Sequence, residues 1–208
     1  MLAEILNHRL KYFLSPQFDL YRNIREFWVG HRMRVAPSMP MRVLDYGCCT
    51  GVGAMLLHYS GDDIVGIDRC GDSISFAKQM FGHLCNFFVE DWGVRKPPES
   101  EGAFDLITCI EVLEHVDELK IKTILERFRY ALADDGIVVF STLNHNSQYR
   151  KNDCHVGRFT VKTFRELLEP FFPGIFMTDY SLQGVLSDDS SRTPVVAIWG
   201  GDSSHAKS

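Results

Sequence analysis

The chain has 208 residues, of which 45% are hydrophobic and 24% are charged, and its formal net charge at pH 7 is −5. This length and composition predict one globular domain with a substantial core. No apolar run approaches the roughly 18 residues that a membrane-spanning helix needs, and the first residues lack the pattern of a secretory signal. We therefore expect a cytoplasmic protein without a membrane partner.

Six cysteines occur without any C-x-x-C pair, and several lie in apolar runs, which favours reduced thiols over a disulfide framework or a zinc site. The acidic net charge argues against general nucleic-acid affinity, and DNA is not expected as a partner. Residues 1–42 nevertheless carry seven Lys and Arg against three Asp and Glu, a net of +4, which leaves −9 for residues 43–208. The basic segment could contact a polyanion or form a solvated helix face.

The first 40 residues are predicted to form an N-terminal helical segment, with one or two amphipathic helices broken near residues 15–17. A domain over residues 41–200 and a polar tail over 201–208 follow. Within the domain, strand-like runs rich in Val, Ile and Phe alternate with helical patterns, which predicts a parallel sheet covered on both faces. The predicted helices cover 51–59, 71–81, 119–132 and 160–171, and the last two strand-like runs, 175–182 and 194–200, suggest an antiparallel hairpin at one sheet edge.

The stretch "LDYGCCTGVG" follows the first predicted strand and opens a helix, where backbone amides can approach a ligand. It fails the dinucleotide pattern G-x-G-x-x-G. It fits D-x-G-x-G-x-G at Asp45, Gly47 and Gly51, with Cys49 in place of the middle glycine. A glycine loop alone is equally consistent with a tight turn. Asp68 ends the next strand, where a carboxylate can accept both hydroxyls of a ribose, and this favours a binding role.

Asp91 and Trp92, at the end of the third predicted strand, also favour a binding role for this edge of the sheet. Asp91 could accept a hydrogen bond from an exocyclic amine, and Trp92 could lie against a base. Asp and Trp are also ordinary loop residues, so neither is decisive alone. Together with Asp68 they predict a nucleoside pocket at the carboxyl ends of the strands.

These motifs, together with "FDLITCIEVLEHV" and "LADDGIVVFSTLN", occur in the order and spacing of class I S-adenosylmethionine-dependent methyltransferases, which the chain resembles over residues 41–145. The resemblance implies a Rossmann-like, doubly wound α/β fold whose seven-stranded sheet is mostly parallel with an antiparallel terminal strand. It also implies a cofactor site, with the Gly47–Gly51 loop at the methionine part, Asp68 at the ribose and Asp91 at the adenine amine. The expected cofactor-binding residues are Asp45, Gly47, Cys49, Gly51, Asp68, Asp91, Trp92 and Ile110. The Cβ of Cys49 would push the cofactor outward unless its backbone keeps a negative φ.

The motif "EVLEH" follows the fourth predicted strand. If it begins a helix, Glu111, Glu114 and His115 stand at i, i+3 and i+4 on one face. Acidic residues favour helix N-termini, so a polar helix end is one interpretation. Many similar methyltransferases carry Leu-x-His here without a metal. The other interpretation is the wall of a site.

The motif also resembles those of two methyltransferase families: the enzymes that 2′-O-methylate the 3′ ends of small RNAs, and the catechol O-methyltransferases of ubiquinone biosynthesis. Both pair E-x-x-E-H with a later histidine ahead of a helix. In the first family these residues hold a divalent ion. The resemblance implies Glu111, Glu114, His115 and His155 as ligands of Mg²⁺ or Mn²⁺, with catalytic roles for Glu111, His115 and His155. His145 has no counterpart in that set.

The expected function is therefore S-adenosylmethionine-dependent O-methylation of a vicinal diol or catechol-type acceptor, either an RNA 3′ end or a small molecule. Arginines of the N-terminal helices could contact RNA: Arg22, Arg25, Arg32 and Arg34. For a small acceptor, Tyr21, Phe27 and Trp28 would instead line an apolar lid. The alternatives are a metal-independent small-molecule methyltransferase and a catalytically silent methyltransferase-like subunit. A nicotinamide-dependent oxidoreductase is disfavoured because the G-x-G-x-x-G spacing is missing.

Overall fold

The computed structural model describes residues 16–35, 40–93, 104–145, 156–192 and 194–200. Its helices are α1 (Pro16–Val35), α2 (Val52–Leu57), α3 (Gly71–Phe81), α4 (Glu118–Ala131) and α5 (Val161–Leu168). Its strands are β1 (Arg42–Tyr46), β2 (Asp63–Asp68), β3 (Asn86–Val89), β4 (Phe104–Ile110), β5 (Leu132–Thr142), β6 (Phe176–Thr178) and β7 (Val195–Gly200). A short 3₁₀ helix covers Leu113–His115.

The strands form one seven-stranded sheet in the order β3-β2-β1-β4-β5-β7-β6. Strands β1 to β5 pair in parallel, and β7 runs antiparallel between β5 and β6. The predicted fold, including the antiparallel terminal strand and the hairpin at one edge, is confirmed. The order reverses between β1 and β4, and in open α/β sheets a ligand binds at the carboxyl ends of the strands beside such a reversal.

Hydrophobic clusters cover both faces of the sheet. On one face α4 and α5 pack through side chains such as Ile124, Phe128 and Phe164. On the other face α1, α2 and α3 contribute Leu20, Leu57 and others. Burying apolar side chains against both faces is the main favourable contribution to the folding of a sheet of this kind.

Local sequence signals explain where several elements begin. Pro16 stands at the first turn of α1, where a missing N–H has no cost. Asp117 caps α4 by accepting the Leu119 amide at 3.0 Å, and Thr160 and Thr163 form a reciprocal capping box at α5. Strand β5 begins at Leu132, directly after α4 ends, because Leu132 pairs with Phe104 of β4.

Helix α1 lies against α2 with a single apolar face. Leu20, Tyr21, Ile24 and Trp28 are all buried, whereas Phe27 is 39% exposed. Tyr21 and Trp28 therefore pack in the core of the described structure, and the lid role of the N-terminal helices stays a prediction. Among the described residues, no helix is long and apolar enough to cross a bilayer.

Candidate active site at the carboxyl ends of β1, β2 and β4

The loop after β1 depends on glycine at two positions. Gly47 and Gly51 have φ values of 75° and 79°, in the left-handed region that favours glycine. A Cβ at Gly47 would lie less than 3.0 Å from the Val112 side chain, and a Cβ at Gly51 would lie less than 3.0 Å from the Phe87 ring. The glycines thus let the loop pack closely against α3, β3 and the residues that follow β4.

Cys49 shares this left-handed conformation, with a φ of 47°. A negative φ was the condition under which its side chain would leave the cofactor undisturbed, and the structure does not meet it. The side chain is exposed, and its sulfur lies 4.0 Å from the hydroxyl of Ser73. A non-glycine residue in this region carries a backbone strain of roughly 1–3 kcal/mol.

Asp68 lies at the end of β2, next to the glycine loop. Its Oδ2 accepts the amide of Cys49 at 3.0 Å, and its Oδ1 accepts the amide of Cys70 at 2.8 Å. Each oxygen of a carboxylate can accept a second hydrogen bond. The half-buried group can therefore bind two neighbouring hydroxyls while it holds both backbone segments.

Asp45 is fully buried beneath the loop. Its Oδ1 accepts hydrogen bonds from Tyr21 of α1 at 2.9 Å and from Thr108 of β4 at 2.7 Å. Burial raises the pKa of this carboxyl group to about 6, although both hydroxyls lower it. These contacts connect β1, β4 and α1, so Asp45 supports the loop from below.

The remaining predicted cofactor residues lie in different surroundings. Asp91 is half-buried, and its Oδ1 accepts the amide of Gly93 at 2.8 Å. Ile110, at the end of β4, is 7% exposed. Trp92 is fully buried, with its ring against Tyr46 and Phe128. The structure thus puts Trp92 in the core, without a free face for a base.

The EVLEH segment does not form the regular helix that would align its acidic residues. Glu111 has a φ of 54° and precedes the 3₁₀ helix, which begins at Leu113. Its amide donates to the Ser141 carbonyl of β5 at 3.0 Å, and Gln17 of α1 donates to its carboxylate. Burial raises the pKa of Glu111, and the Gln17 contact partly offsets the rise. Glu111 is therefore oriented by the end of β4 and by α1.

Glu114 is the most deeply buried acid of this segment, at 2% exposure. Neither carboxylate oxygen makes a well-aligned hydrogen bond to a described residue, although the Thr142 hydroxyl and the Leu143 backbone interact with the carboxyl group and lower its pKa. Burial raises its pKa to about 8, and the charge of Glu111 adds to the rise. Its backbone carbonyl accepts the amides of Val156 at 2.8 Å and Gly157 at 2.9 Å, which attaches the segment before α5 to this site.

His115 is half-buried and closes the 3₁₀ helix. His155 lies outside the described residues, so the predicted fourth ligand has no position here. Within the described part of the chain, no three His, Cys, Asp or Glu side chains form a group that could hold a metal ion. The buried carboxylate of Glu114 is nevertheless the kind of ligand whose charge a cation would compensate.

Sequence reasoning missed three side chains that organise the site. Thr108 and Tyr21 hold Asp45, and Gln17 contacts Glu111. Thr108 is a polar residue inside the apolar strand β4, which was a usable signal. The contacts of Tyr21 and Gln17 depend on how α1 docks, and the local sequence carries no signal for that docking.

This architecture defines an open α/β sheet of the class that binds ligands at the carboxyl ends of its strands, beside a reversal such as the one between β1 and β4. The family profile described as "Methyltransferase domain" matches residues 20–170. The chain therefore belongs to the methyltransferase-domain family, and the resemblance to class I S-adenosylmethionine-dependent methyltransferases is confirmed.

Individual relatives agree with this assignment. The chain is similar to a ubiquinone biosynthesis O-methyltransferase of Paracidovorax citrulli, with 29% identity over 65% of this chain and 57% of that protein. It is 33% identical to the protein of the same name from Bordetella avium, over 50% of this chain and 44% of that protein. The chain thus spans about half the length of the curated relatives it matches.

A solved structure supports the fold. A TehB-like SAM-dependent methyltransferase from Corynebacterium glutamicum superposes with a TM-score of 0.65 at 22% identity, covering 96% of this chain and 98% of that chain. Sequence identity at this level supports a shared fold and carries no information about the methyl acceptor.

Proposed function

We propose that the chain is an S-adenosylmethionine-dependent O-methyltransferase that acts on one hydroxyl of a vicinal diol or catechol-type acceptor and binds a divalent metal ion at the EVLEH segment. The observation that carries the metal-dependent part is Glu114, which is 2% exposed and whose carboxylate oxygens make no well-aligned hydrogen bond to a described residue. A buried carboxylate in that state is unfavourable unless a proton or a cation compensates its charge.

The cofactor half of the proposal is supported by the glycine loop and Asp68. The carboxylate of Asp68 retains acceptor capacity for two ribose hydroxyls. Asp91, at the end of the neighbouring strand, would accept from the adenine amine. The contact between Gly47 and Val112 brings the loop against the EVLEH segment, so a methyl group carried at the loop would face the acidic side chains.

The proposed ligands are Glu111, Glu114, His115 and His155. The first three share one short segment, and Val156, which directly follows His155 in the chain, is hydrogen-bonded to the Glu114 carbonyl. Mixed carboxylate and imidazole donors suit Mn²⁺ and also admit Mg²⁺. A divalent ion at these donors would lower the pKa of a coordinated hydroxyl and orient two adjacent oxygens.

The chain's own residues would perform the remaining steps. Gln17 would orient Glu111 through its hydrogen bond. An imidazole of His115 or His155, whichever is not coordinated to the ion when the acceptor binds, would accept the proton of the attacking hydroxyl. Burial of the site would exclude water, which strengthens the electrostatic interactions within it.

Both acceptor classes remain part of the proposal. The relatives named as ubiquinone biosynthesis O-methyltransferases support a small phenolic acceptor. A solved methyltransferase domain named CtHen1-C, with a TM-score of 0.64 at 19% identity over 88% of this chain and 98% of that chain, has the same fold. The RNA alternative rests on the EVLEH resemblance and on exposed Arg22 and Arg25 of α1. Phosphate contacts would make RNA binding weaken steeply with salt.

The test measures methyl transfer from labelled S-adenosylmethionine to a short RNA with a free 3′ diol and, separately, to a catechol. Each reaction is run with Mn²⁺ and with a chelator. Metal-dependent labelling of one acceptor is expected, and Glu114→Gln should reduce it by roughly 10²-fold or more. Glu126→Gln, at an exposed position of α4, is the matched control.

Binding measurements separate the two halves of the proposal. Asp68→Ala should weaken S-adenosylhomocysteine binding by roughly 10- to 100-fold, because it removes charged hydrogen bonds to the ribose. Glu114→Gln should leave that affinity within about twofold and weaken Mn²⁺ binding measured by calorimetry. Labelling that survives the chelator would exclude the metal and make EVLEH a structural segment.

A further inference from the structure

Two exposed cysteines lie on either side of Asp68. The backbone amides of Cys49 and Cys70 donate to the two oxygens of the same carboxylate, at 3.0 Å and 2.8 Å. The other free cysteines among the described residues, Cys48, Cys85 and Cys109, are buried. Reagents in solvent therefore reach Cys49 and Cys70 before the buried thiols.

The two sulfurs also approach one hydroxyl group. The sulfur of Cys49 lies 4.0 Å from Oγ of Ser73, in the first turn of α3. The side chain and the backbone of Ser73 also hydrogen-bond the sulfur of Cys70, and these bonds lower the pKa of that thiol. A lowered pKa increases the thiolate fraction at neutral pH, and the thiolate is the reactive form.

We propose that Cys49 and Cys70 form a reversible disulfide that closes the ribose-binding end of the cofactor site. The proposal rests on the assignment of Asp68 to the cofactor made above. A disulfide requires roughly 4.4–6.8 Å between the two Cα atoms. The shared carboxylate on the backbone side and the shared hydroxyl on the side-chain side hold the residues close together. Gly47 and Gly51 flank Cys49 and allow the loop to adjust.

The oxidant is a hydroperoxide. The Cys70 thiolate attacks the terminal oxygen and the O–O bond breaks, so that Cys70 becomes a sulfenic acid. The departing alkoxide takes up the proton that the Cys70 thiol had released and becomes an alcohol. The Cys49 thiol then attacks the Cys70 sulfur, the S–O bond breaks, and the departing hydroxide takes the Cys49 proton to form water. In sum, two thiols are oxidised to one disulfide while the hydroperoxide is reduced to an alcohol and water.

The disulfide would change the site in two ways. It would tie the glycine loop to the start of α3, so that the loop loses the freedom to fit around the methionine part of a cofactor. It would also lie over the carboxylate of Asp68, which is then less accessible to ribose hydroxyls. Oxidation is therefore expected to weaken cofactor binding, and a thiol reductant should restore it.

The experiment uses the full chain with Cys154→Ser, because Cys154 lies outside the described residues and would complicate the mapping. The protein is treated with tert-butyl hydroperoxide, alkylated with N-ethylmaleimide and digested, and the peptides are identified by mass spectrometry. A peptide linking Cys49 to Cys70 is expected. Affinity for S-adenosylhomocysteine, measured by calorimetry, should fall at least tenfold and recover with dithiothreitol.

Each variant is compared with its own reduced form. Cys49→Ser and Cys70→Ser should form no linked peptide, and peroxide should change their affinity by less than about twofold. Ser73→Ala keeps both thiols and should form the disulfide several-fold more slowly, because the sulfurs lose their shared contact.

Absence of the linked peptide in the protein with both thiols would overturn the proposal, and so would a linked protein of unchanged affinity. Mapping the disulfide does not require cofactor binding, so it separates this proposal from the proposed function. If the reduced protein binds no S-adenosylhomocysteine, the proposed function fails, and control of cofactor binding by this disulfide fails with it. If Asp68→Ala alone leaves binding intact, the assignment of Asp68 fails while the linked peptide still decides the pairing.

Discussion

Glu114 is a buried acid whose pKa, about 8, lies well above its usual value of 4.5 because burial penalises its charge. Below about pH 4.5 the carboxyl group is protonated in both the folded and the unfolded chain, and burial then carries no charge penalty. Between these values the unfolded chain is ionised while the folded chain keeps the proton. The free energy of unfolding therefore decreases as the pH rises, by about 1.4 kcal/mol per pH unit from this group.

Replacing Glu114 with Gln should remove this pH dependence. In the absence of metal, we expect the variant and the parent protein to have similar free energies of unfolding near pH 4.5. The variant should then become more stable than the parent, by a few kcal/mol at pH 8, because only the parent must ionise a buried group. Urea denaturation at pH 5, 6, 7 and 8 measures the difference.

Asp45 is present in both proteins, so its own raised pKa cancels in the comparison. Glu126→Gln removes an exposed carboxyl group and serves as the control, with a curve parallel to that of the parent. A difference between Glu114→Gln and the parent that stays constant from pH 5 to pH 8 would contradict the burial argument.

Residue chemistry could be predicted from the sequence where the local pattern determines it. Gly47 and Gly51 have the positive φ values that a glycine loop suggests, and Asp68 ends β2 beside that loop. The position of Trp92 could not be predicted in this way. Its aromatic neighbours Tyr46 and Phe128 are far away in sequence, so its burial is a result of tertiary packing.

At the scale of elements, the prediction succeeded where an apolar pattern is long and regular. The bounds predicted for α3, 71–81, coincide with those observed, Gly71–Phe81. It was less successful where an element is short or depends on a neighbour. Strand β6 covers three residues within the predicted run 175–182, because it pairs on one side only, with β7. A regular helix was the condition under which Glu111, Glu114 and His115 would share one face, and it is not met because Glu111 adopts a left-handed conformation at the end of β4.

Two helical glycines test how tightly α1 docks on the domain. A Cβ at Gly53 of α2 would lie less than 3.0 Å from the ring of Tyr21, whereas a Cβ at Gly30 of α1 meets no atom of the described residues within 4 Å. Gly53→Ala should therefore destabilise the protein by roughly 1–3 kcal/mol, because it displaces Tyr21 from Asp45. Gly30→Ala should stabilise it by about 0.5–1 kcal/mol, because alanine is the better helix former.

Urea denaturation at one pH measures both variants, and each is the control for the other. The substitution is the same and both sites are helical, so only the space around the new methyl group differs. Stabilisation of both variants would contradict the close packing of Tyr21 against α2 and, with it, the tight docking of α1.

At the scale of the whole molecule, the class of fold could be predicted because alternating strands and helices leave few arrangements of a parallel sheet. The docking of α1 over the carboxyl ends of the strands could not be predicted from the sequence. It depends on the hydrogen bonds from Tyr21 to Asp45 and from Gln17 to Glu111, which join residues far apart in the chain.

The order of the strands predicts how stability is distributed across the molecule. Strands β3 and β6 form the two edges of the sheet, and each exposes part of its length. Strands β1, β4 and β5 lie inside the sheet, with long buried stretches. Edge strands open by local fluctuations, whereas central strands exchange their amides only through larger unfolding.

Hydrogen exchange followed by mass spectrometry should therefore show two groups of peptides. Amides of Asn86–Val89 and Phe176–Thr178 should exchange at least roughly 10²-fold faster than those of Phe104–Ile110, because local opening requires less free energy than disruption of the sheet interior. Amides in the buried half of β5 should exchange at about the same rate as those of β4, since the two strands pair over most of their length. Equal protection of edge and central strands would mean that the sheet opens only as one cooperative unit, and the edges would then not be the weak points that their exposure implies.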